Sequence, residues 1–226
     1  MNAFAKAMFE QLRHPDRDVE FRMRVVGGPE MDCSCRDFLH VRPEEQALIR
    51  NCLGDRQEFR VLDIACGIGR HSAFVHSLSP HAKITLVETN RQLREYCLAR
   101  LPEAIGYERF GDVPAHSHFD IAFLMGNGLG VFGNETATRH QLQRVFSLVV
   151  EGGCVLIESG NFSTGSFHTA RHEIEYAGSV DGPFTWGYAT SEWLQRELAT
   201  ACFQIVSVTL SSVGGPFFIC QAKKCA

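Results

Sequence analysis

From residue 43 to residue 158 the chain alternates two hydrophobic rhythms. Short uninterrupted apolar runs predict strands at 59–64, 83–88, 105–110, 119–125 and 154–158. Stretches with apolar residues every three or four positions predict helices at 43–52, 70–78, 91–101 and 136–149. A run such as Ile121 to Met125 shows little polar alternation, as expected of a strand covered on both faces. Strand alternating with helix implies right-handed parallel crossovers. The tail then changes character, with a helix at 191–200, a strand at 203–210 rich in β-branched residues, a Gly214-Gly215-Pro216 turn and a strand at 217–222. Two strands joined by so short a turn pair antiparallel. The expected fold is α/β: a doubly wound, mostly parallel seven-stranded sheet closed by a C-terminal antiparallel hairpin.

Two segments lie outside this alternation. Residues 1–42 open with an apolar helix-like run (Phe4, Met8, Phe9, Leu12) and form an N-terminal cap segment ahead of a core at 43–226. The second is an insertion at about 160–188, rich in aromatic and histidine side chains. There Glu173, Glu175 and Ser179 alternate with Ile174, Tyr176 and Val180, a pattern that also suits an amphipathic surface strand.

The sharpest local feature is Val61-Leu62-Asp63-Ile64-Ala65-Cys66-Gly67-Ile68-Gly69-Arg70-His71, an apolar strand that runs through an acid into a glycine turn. Glycines two apart allow a tight strand-to-helix turn and leave main-chain N–H groups open to a ligand. Asp63, near the carboxyl end of its strand, repels a pyrophosphate and attracts an ammonium group. The dinucleotide pattern needs a small residue three beyond the second glycine, a place that Ser72 fills only loosely. A second apolar strand ends in Glu88, 25 positions after Asp63 (88 − 63), where an acid can accept both hydroxyls of a ribose.

Asp63-Ile64-Ala65-Cys66-Gly67-Ile68-Gly69 resembles the D/E-x-G/A-C-G-x-G signature of class I S-adenosylmethionine (SAM)-dependent methyltransferases, and Arg70-His71 is similar to the continuation in many small-molecule members. Further similarities are Phe110-Gly111-Asp112-Val113 after the third strand, Phe119-Asp120 at the entry of the fourth, and Glu151-Gly152-Gly153 before the fifth. The resemblance covers about residues 45–223 and implies a Rossmann-like methyltransferase fold. It implies SAM as cofactor, held by Asp63, Ala65, Cys66, Gly67, Gly69, Glu88, Thr89, Asp112, Val113 and Met125.

On the acceptor side, Gly126-Asn127-Gly128-Leu129-Gly130 resembles a segment of some small-molecule N- and O-methyltransferases. Asn127 there offers a donor and an acceptor. With Asn127, the insertion's Arg171 and Trp186 are candidate substrate contacts; exposed-strand and packing roles stand as alternatives. An in-line methyl transfer depends chiefly on holding nucleophile and methyl in position. A hydroxyl or protonated amine also needs a base, for which His172, His168 and Glu158 qualify by residue type. The implied function is methyl transfer from SAM to nitrogen or oxygen of a small molecule. The alternatives are an NAD-dependent oxidoreductase, which Asp63 and the terminal hairpin disfavour, and a non-catalytic module, which has no need of the acid–glycine set.

Composition changes this picture little. With 226 residues, 45% hydrophobic, and a formal net charge of −4, the chain has ample core and no electrostatic footprint for nucleic acid. No apolar run long enough to span a bilayer and no leader is expected, which suits a cytoplasmic protein without a membrane partner. Nine cysteines, an odd number, fit reduced thiols, and the spacing in Cys33-Ser34-Cys35 is not that of a zinc knuckle; no metal is expected.

Overall fold

The computed structural model describes residues 2–54, 58–162, 166–212 and 214–225. In chain order the elements are α1 (Ala3–Arg13), β1 (Glu20–Val25), β2 (Glu30–Ser34), α2 (Arg36–Leu39), α3 (Pro43–Leu53), β3 (Arg60–Ile64), α4 (Arg70–Leu78), β4 (Lys83–Val87), α5 (Arg91–Arg100), β5 (Ile105–Tyr107) and β6 (Phe119–Leu124). They continue with α6 (Glu135–Leu148), β7 (Val149–Gly160), β8 (Phe167–Tyr176), β9 (Ser179–Ala189), α7 (Ser191–Thr200), β10 (Phe203–Leu210) and β11 (Phe217–Lys224).

Seven strands form the main sheet in the order β10-β11-β7-β6-β3-β4-β5. β5, β4, β3, β6 and β7 run parallel, and β11 is antiparallel to both β7 and β10. Successive residues of the central strands serve opposite layers. Val61, Ile121, Phe123 and Leu156 pack against α3, α4 and α5, whereas Leu62, Ala122, Leu124 and Val155 pack against α6 and α7. This two-sided burial is why those strands lack polar alternation. The C-terminal hairpin takes the expected antiparallel form.

Two strand boundaries and one grouping of segments differ most from the sequence expectation. β7 begins at Val149 rather than 154, because Gly152 adopts a positive φ (72°) and the register with β6 shifts, so the extra residues bulge without ending the strand. β5 stops at Tyr107, and Phe110–Asp112 forms a turn of 3₁₀-helix that buries Phe110. The N-terminal cap and the insertion, read as separate segments, are one structure.

That structure is a second, four-stranded antiparallel sheet in the order β2-β1-β8-β9. β1 pairs with β8 in the register Met23↔Ile174 and Val25↔His172. β8 turns into β9 through Ala177 and Gly178, both at positive φ (46° and 73°), as a two-residue hairpin loop requires. Alternation gives this sheet two unlike faces. Arg24 and Glu173 pair on the outer face with Arg22, Glu30 and Asp32 around them. Phe21, Met23, Ile174 and Tyr176 point inward, onto α1 and onto Ile68 and Leu93 of the main domain. Residues 167–188 of the insertion thus lie on the sheet that α1 fastens to the glycine turn; 163–165 fall outside the described residues.

Phe21 holds this junction together, edge-on to Phe4 of α1 at 5.5 Å and 5.7 Å from Phe38 of α2. Phe21→Ala is expected to cost about 3 kcal/mol in urea denaturation, at the lower end for a buried phenylalanine. Hydrogen exchange should show the loss concentrated in α1, β1 and β8, with β3 and β6 still protected; uniform loss would mean that the two sheets unfold as one unit.

Candidate active site

β3 and β6 are neighbours at the centre of the sheet, and the strand order diverges on either side of them. In such sheets the crevice beyond the carboxyl ends of the strands at this point receives ligands. Both strand ends carry left-handed backbone: Ala65 (φ 57°), Gly67 (58°) and Gly69 (71°) after β3, and Gly126 (62°) and Asn127 (55°) after β6. For Ala65 this costs roughly 1–2 kcal/mol. A Cβ built on Gly67 would meet nothing within 4 Å, whereas one on Gly69 would lie 3.0 Å from Cys97 Sγ. Gly67 therefore leaves open room beside its backbone, and Gly69 lets α5 pack close.

The predicted cofactor residues divide by what their side chains do. Glu88 accepts from the Gly67 N–H at 2.9 Å and the Asn90 N–H at 2.8 Å, which sets its carboxylate beside the glycine turn. Burial pushes its pKa up against those hydrogen bonds. Thr89 and Asp112 are exposed nearby along the chain ends of β4 and β5. Cys66, Val113 and Met125 are buried, with their side chains packed in the two core layers. Cys66's thiol is pushed well above its ordinary value by the neighbouring Cys97 thiol and by burial.

Asp63 departs from expectation. It is 1% exposed, and its carboxylate accepts from the Ser72 hydroxyl at 2.7 Å. Burial raises its pKa, with His71, Ser72 and Arg70 opposing. Its contacts pin the start of α4 to β3 and do not present a free carboxylate to an ammonium group. Glu158 departs likewise: one oxygen accepts from Arg42 at 2.6 Å and Ser211 at 2.8 Å, the other from the Gly126 N–H at 2.7 Å. With both oxygens engaged and the side chain buried, Glu158 is not placed as a free base; it holds the loop that carries Asn127.

Sequence reasoning missed the centre of this arrangement. Arg42 bridges Glu158 and Glu45, each at 2.6 Å, and Arg70 meets Glu45 at 2.9 Å with His71 3.3 Å away. Arg70 also donates to the carbonyls of Asp37 and His40. Burial alone would raise the Glu45 carboxyl, but His71, Arg70 and Arg42 hold it down to about 2. The available signal was Arg42-Pro43-Glu44-Glu45, which has proline at the first helical position and glutamate where a capping box places it.

The inner face of the small sheet supplies the opposite wall. Asn127 is 7% exposed, and its Oδ1 has no hydrogen-bond partner among the described residues. Trp186 lies so close to Gly130 that a Cβ there would sit 1.9 Å from its Nε1. His172 is 4% exposed, with Nε2 3.0 Å from the Tyr188 hydroxyl and Nδ1 without a partner among the described residues. Burial, then His168, lowers the His172 pKa, and burial pushes Tyr188 up to about 12. Tyr188 was not among the predicted contacts. His168 shares this face, opposite Tyr188 in the register, but is exposed. Arg171 is exposed and alternates to the outer face, so the structure does not bring it to the cleft. Cys33 and Cys35 are raised to about 11 and about 12, chiefly by burial; among the described residues no group of three or more side chains could hold a metal.

No protein-family model matches the chain, and no curated protein matches it. Solved structures do. A SAM-dependent methyltransferase from Bacteroides fragilis, in complex with S-adenosyl-L-homocysteine, aligns over 100% of this chain and 95% of its own at 15% identity with a TM-score of 0.74. The 1,6-didemethyltoxoflavin-N1-methyltransferase of Burkholderia thailandensis aligns over 81% and 78% at 18% identity, with a TM-score of 0.63. An amino pentose methyltransferase from Micromonospora echinaspora aligns over 80% and 89% at 15% identity, TM-score 0.59. The fold is that of the class I SAM-dependent methyltransferases.

Arg42→Ala would leave Glu45 and Glu158 buried without their shared cation. The expected loss is about 3–5 kcal/mol in guanidinium denaturation at neutral pH. Because Glu45 is held below its unfolded-state value, its stabilisation is complete above the ordinary carboxylate range and is lost as pH falls toward 2. The gap between Arg42→Ala and the parent should therefore narrow in acid.

Proposed function

We propose that this chain is a SAM-dependent methyltransferase that modifies nitrogen or oxygen of a small molecule. The observation that carries the reading is the open, left-handed Gly67 turn with the Glu88 carboxylate beside it, at the carboxyl ends of the central strands. A turn with no Cβ at Gly67 next to a carboxylate suits a nucleoside: a ligand can approach the main chain closely there, and Glu88 accepts from ribose hydroxyls. Asp112, exposed beyond β5, is placed on the adenine side by its similarity to the family's third-strand acid. The pyrophosphate of NAD gains nothing from the surrounding carboxylates, and the antiparallel β11 departs from the dinucleotide fold. The neighbours named above are themselves methyltransferases, which agrees with this reading.

When bound, SAM supplies an electrophilic methyl group on a sulfonium. The chain's task is to hold a nucleophile in line with it and to exclude water. Asn127 stands at the end of β6 beside the expected methyl position, and Trp186 closes over Gly130. His172, neutral at physiological pH because its pKa is lowered, is the group suited to take a proton from the acceptor. Its ring is steadied by Tyr188.

Calorimetric titration with S-adenosylhomocysteine should give micromolar binding, with NAD and NADP giving none. Glu88→Ala should weaken that binding by about 10²–10⁴, the worth of two hydrogen bonds to a charged group. If the parent protein binds a nicotinamide cofactor instead, the proposal falls.

His172→Ala should lower turnover by about 10²–10⁴, the usual contribution of an acid–base group, with S-adenosylhomocysteine affinity nearly unchanged. Turnover of the parent should fall on the acid side, through a pKa below the ordinary histidine value of about 6.5. Loss of cofactor affinity in the variant would move His172 out of the acceptor wall.

A further inference from the structure

The charges and the unpaired polar atoms around the cleft are distributed unequally. The buried charged groups at the strand ends are committed to one another: Arg42 and Arg70 to Glu45, Arg42 also to Glu158, and Asp63 to Ser72. Arg171 and Glu175 are exposed on the outer face of the small sheet, and Glu173 there pairs with Arg24. The wall that faces the Asn127 loop is aromatic. His172 stands opposite Phe184 in the β8–β9 register with the rings stacked at 6.3 Å, and Phe184 meets Trp186 edge-on at 5.6 Å. Tyr188 continues the row and packs against Phe162 at 4.6 Å.

Against this wall two neutral polar atoms are buried without a partner among the described residues, Asn127 Oδ1 and His172 Nδ1. Leaving such an atom unsatisfied costs about 1–3 kcal/mol, which a ligand with a matching donor or acceptor recovers. A protonated amine would need a free carboxylate, and an anion a free guanidinium or ammonium. A sugar carries more hydroxyls than two neutral atoms can satisfy. Flat apolar surface with one or two polar edges is what aromatic side chains receive best.

We propose that the acceptor is an uncharged, planar aromatic or heteroaromatic molecule bearing one hydroxyl or ring N–H. It lies against Trp186 and Phe184, with its polar edge toward His172 and Asn127. The inference rests on reading this cleft as the acceptor side of a methyltransferase, and it separates this chain from the amino pentose enzyme that shares its fold. The nucleophile's oxygen or nitrogen bonds to the methyl carbon as the carbon–sulfur bond breaks, S-adenosylhomocysteine leaves, and the proton passes to His172.

The test is a saturation-transfer NMR titration of the protein loaded with S-adenosylhomocysteine, using three fragments alike in size and differing in charge: naphthol, naphthoate and naphthylmethylammonium, with glucosamine as a fourth. Naphthol should bind at least about tenfold tighter than any of the others, the low end of the penalty for burying an unpaired charge. Trp186→Ala should abolish the binding, and His172→Ala should weaken it while S-adenosylhomocysteine binding persists in both variants. Equal or tighter binding of the ammonium, the carboxylate or glucosamine would overturn the proposal. So would the absence of naphthol binding in protein shown by calorimetry to hold S-adenosylhomocysteine. Failure of the loading step itself would instead overturn the methyltransferase reading, so the two failures are distinguishable.

Discussion

One guanidinium shared by two buried carboxylates sets the geometry of the cleft. Arg42 stands just ahead of α3 and bridges Glu45 in the same helix to Glu158 at the end of β7, while Glu158 takes the Gly126 N–H that begins the acceptor loop. Arg70 brings α4, and with it the glycine turn, onto the same Glu45. Each ion taken from water costs several kcal/mol, so the network adds little net stability over an apolar replacement. What it supplies is position. The turn after β3 and the loop after β6 are tied to a common centre, so neither can shift without leaving a buried charge unpaired.

A second constraint works at longer range. The small sheet exists only because β1 finds β8, and Arg24 meets Glu173 across a separation of 149 residues. Closing so long a loop costs conformational entropy that local pairing cannot recover. The aromatic contacts of Phe21 with Phe4 and Phe38, and the seating of α1 on Ile68 and Leu93, supply the offset through apolar burial. The inner face of the small sheet is thereby anchored to the glycine turn through packing.

These facts explain what the sequence made legible. The central strands were readable because burial on both faces leaves an unbroken apolar run, and the glycine turn because its backbone demands particular residues. The strand Glu20–Val25 carries a clear period of two, yet its partners are far away in the chain, and pairing between distant strands leaves no local mark. The phase of β8 is carried by Ile174 and Tyr176, which put His172 on the inner face and Arg171 with Glu173 on the outer one; the irregularity between His172 and Ile174 adds its extra residue on β9 and leaves this alternation unbroken. Asp63 and Glu158 were correctly placed at strand ends, but residue type cannot say whether a carboxylate faces a ligand or a neighbour. Ser72, Ser211 and Arg42 decide that question, and all three act through contacts made in the fold.

The division of chemistry between the two sheets follows from these constraints. The main sheet keeps its charges saturated internally, and strained backbone at Ala65 and Asn127 is held in place by the surrounding packing and hydrogen bonds. A floor of this kind resists rearrangement and favours a fixed ligand such as a cofactor. The small sheet puts most of its charges on the outer face and turns aromatic rings, His168 and His172 inward, with Asp181 engaged by the Phe4 N–H of α1. Phe184, Trp186 and Tyr188 take no part in the charge network that holds the glycine turn, so side chains on β9 can change while that turn stays as it is.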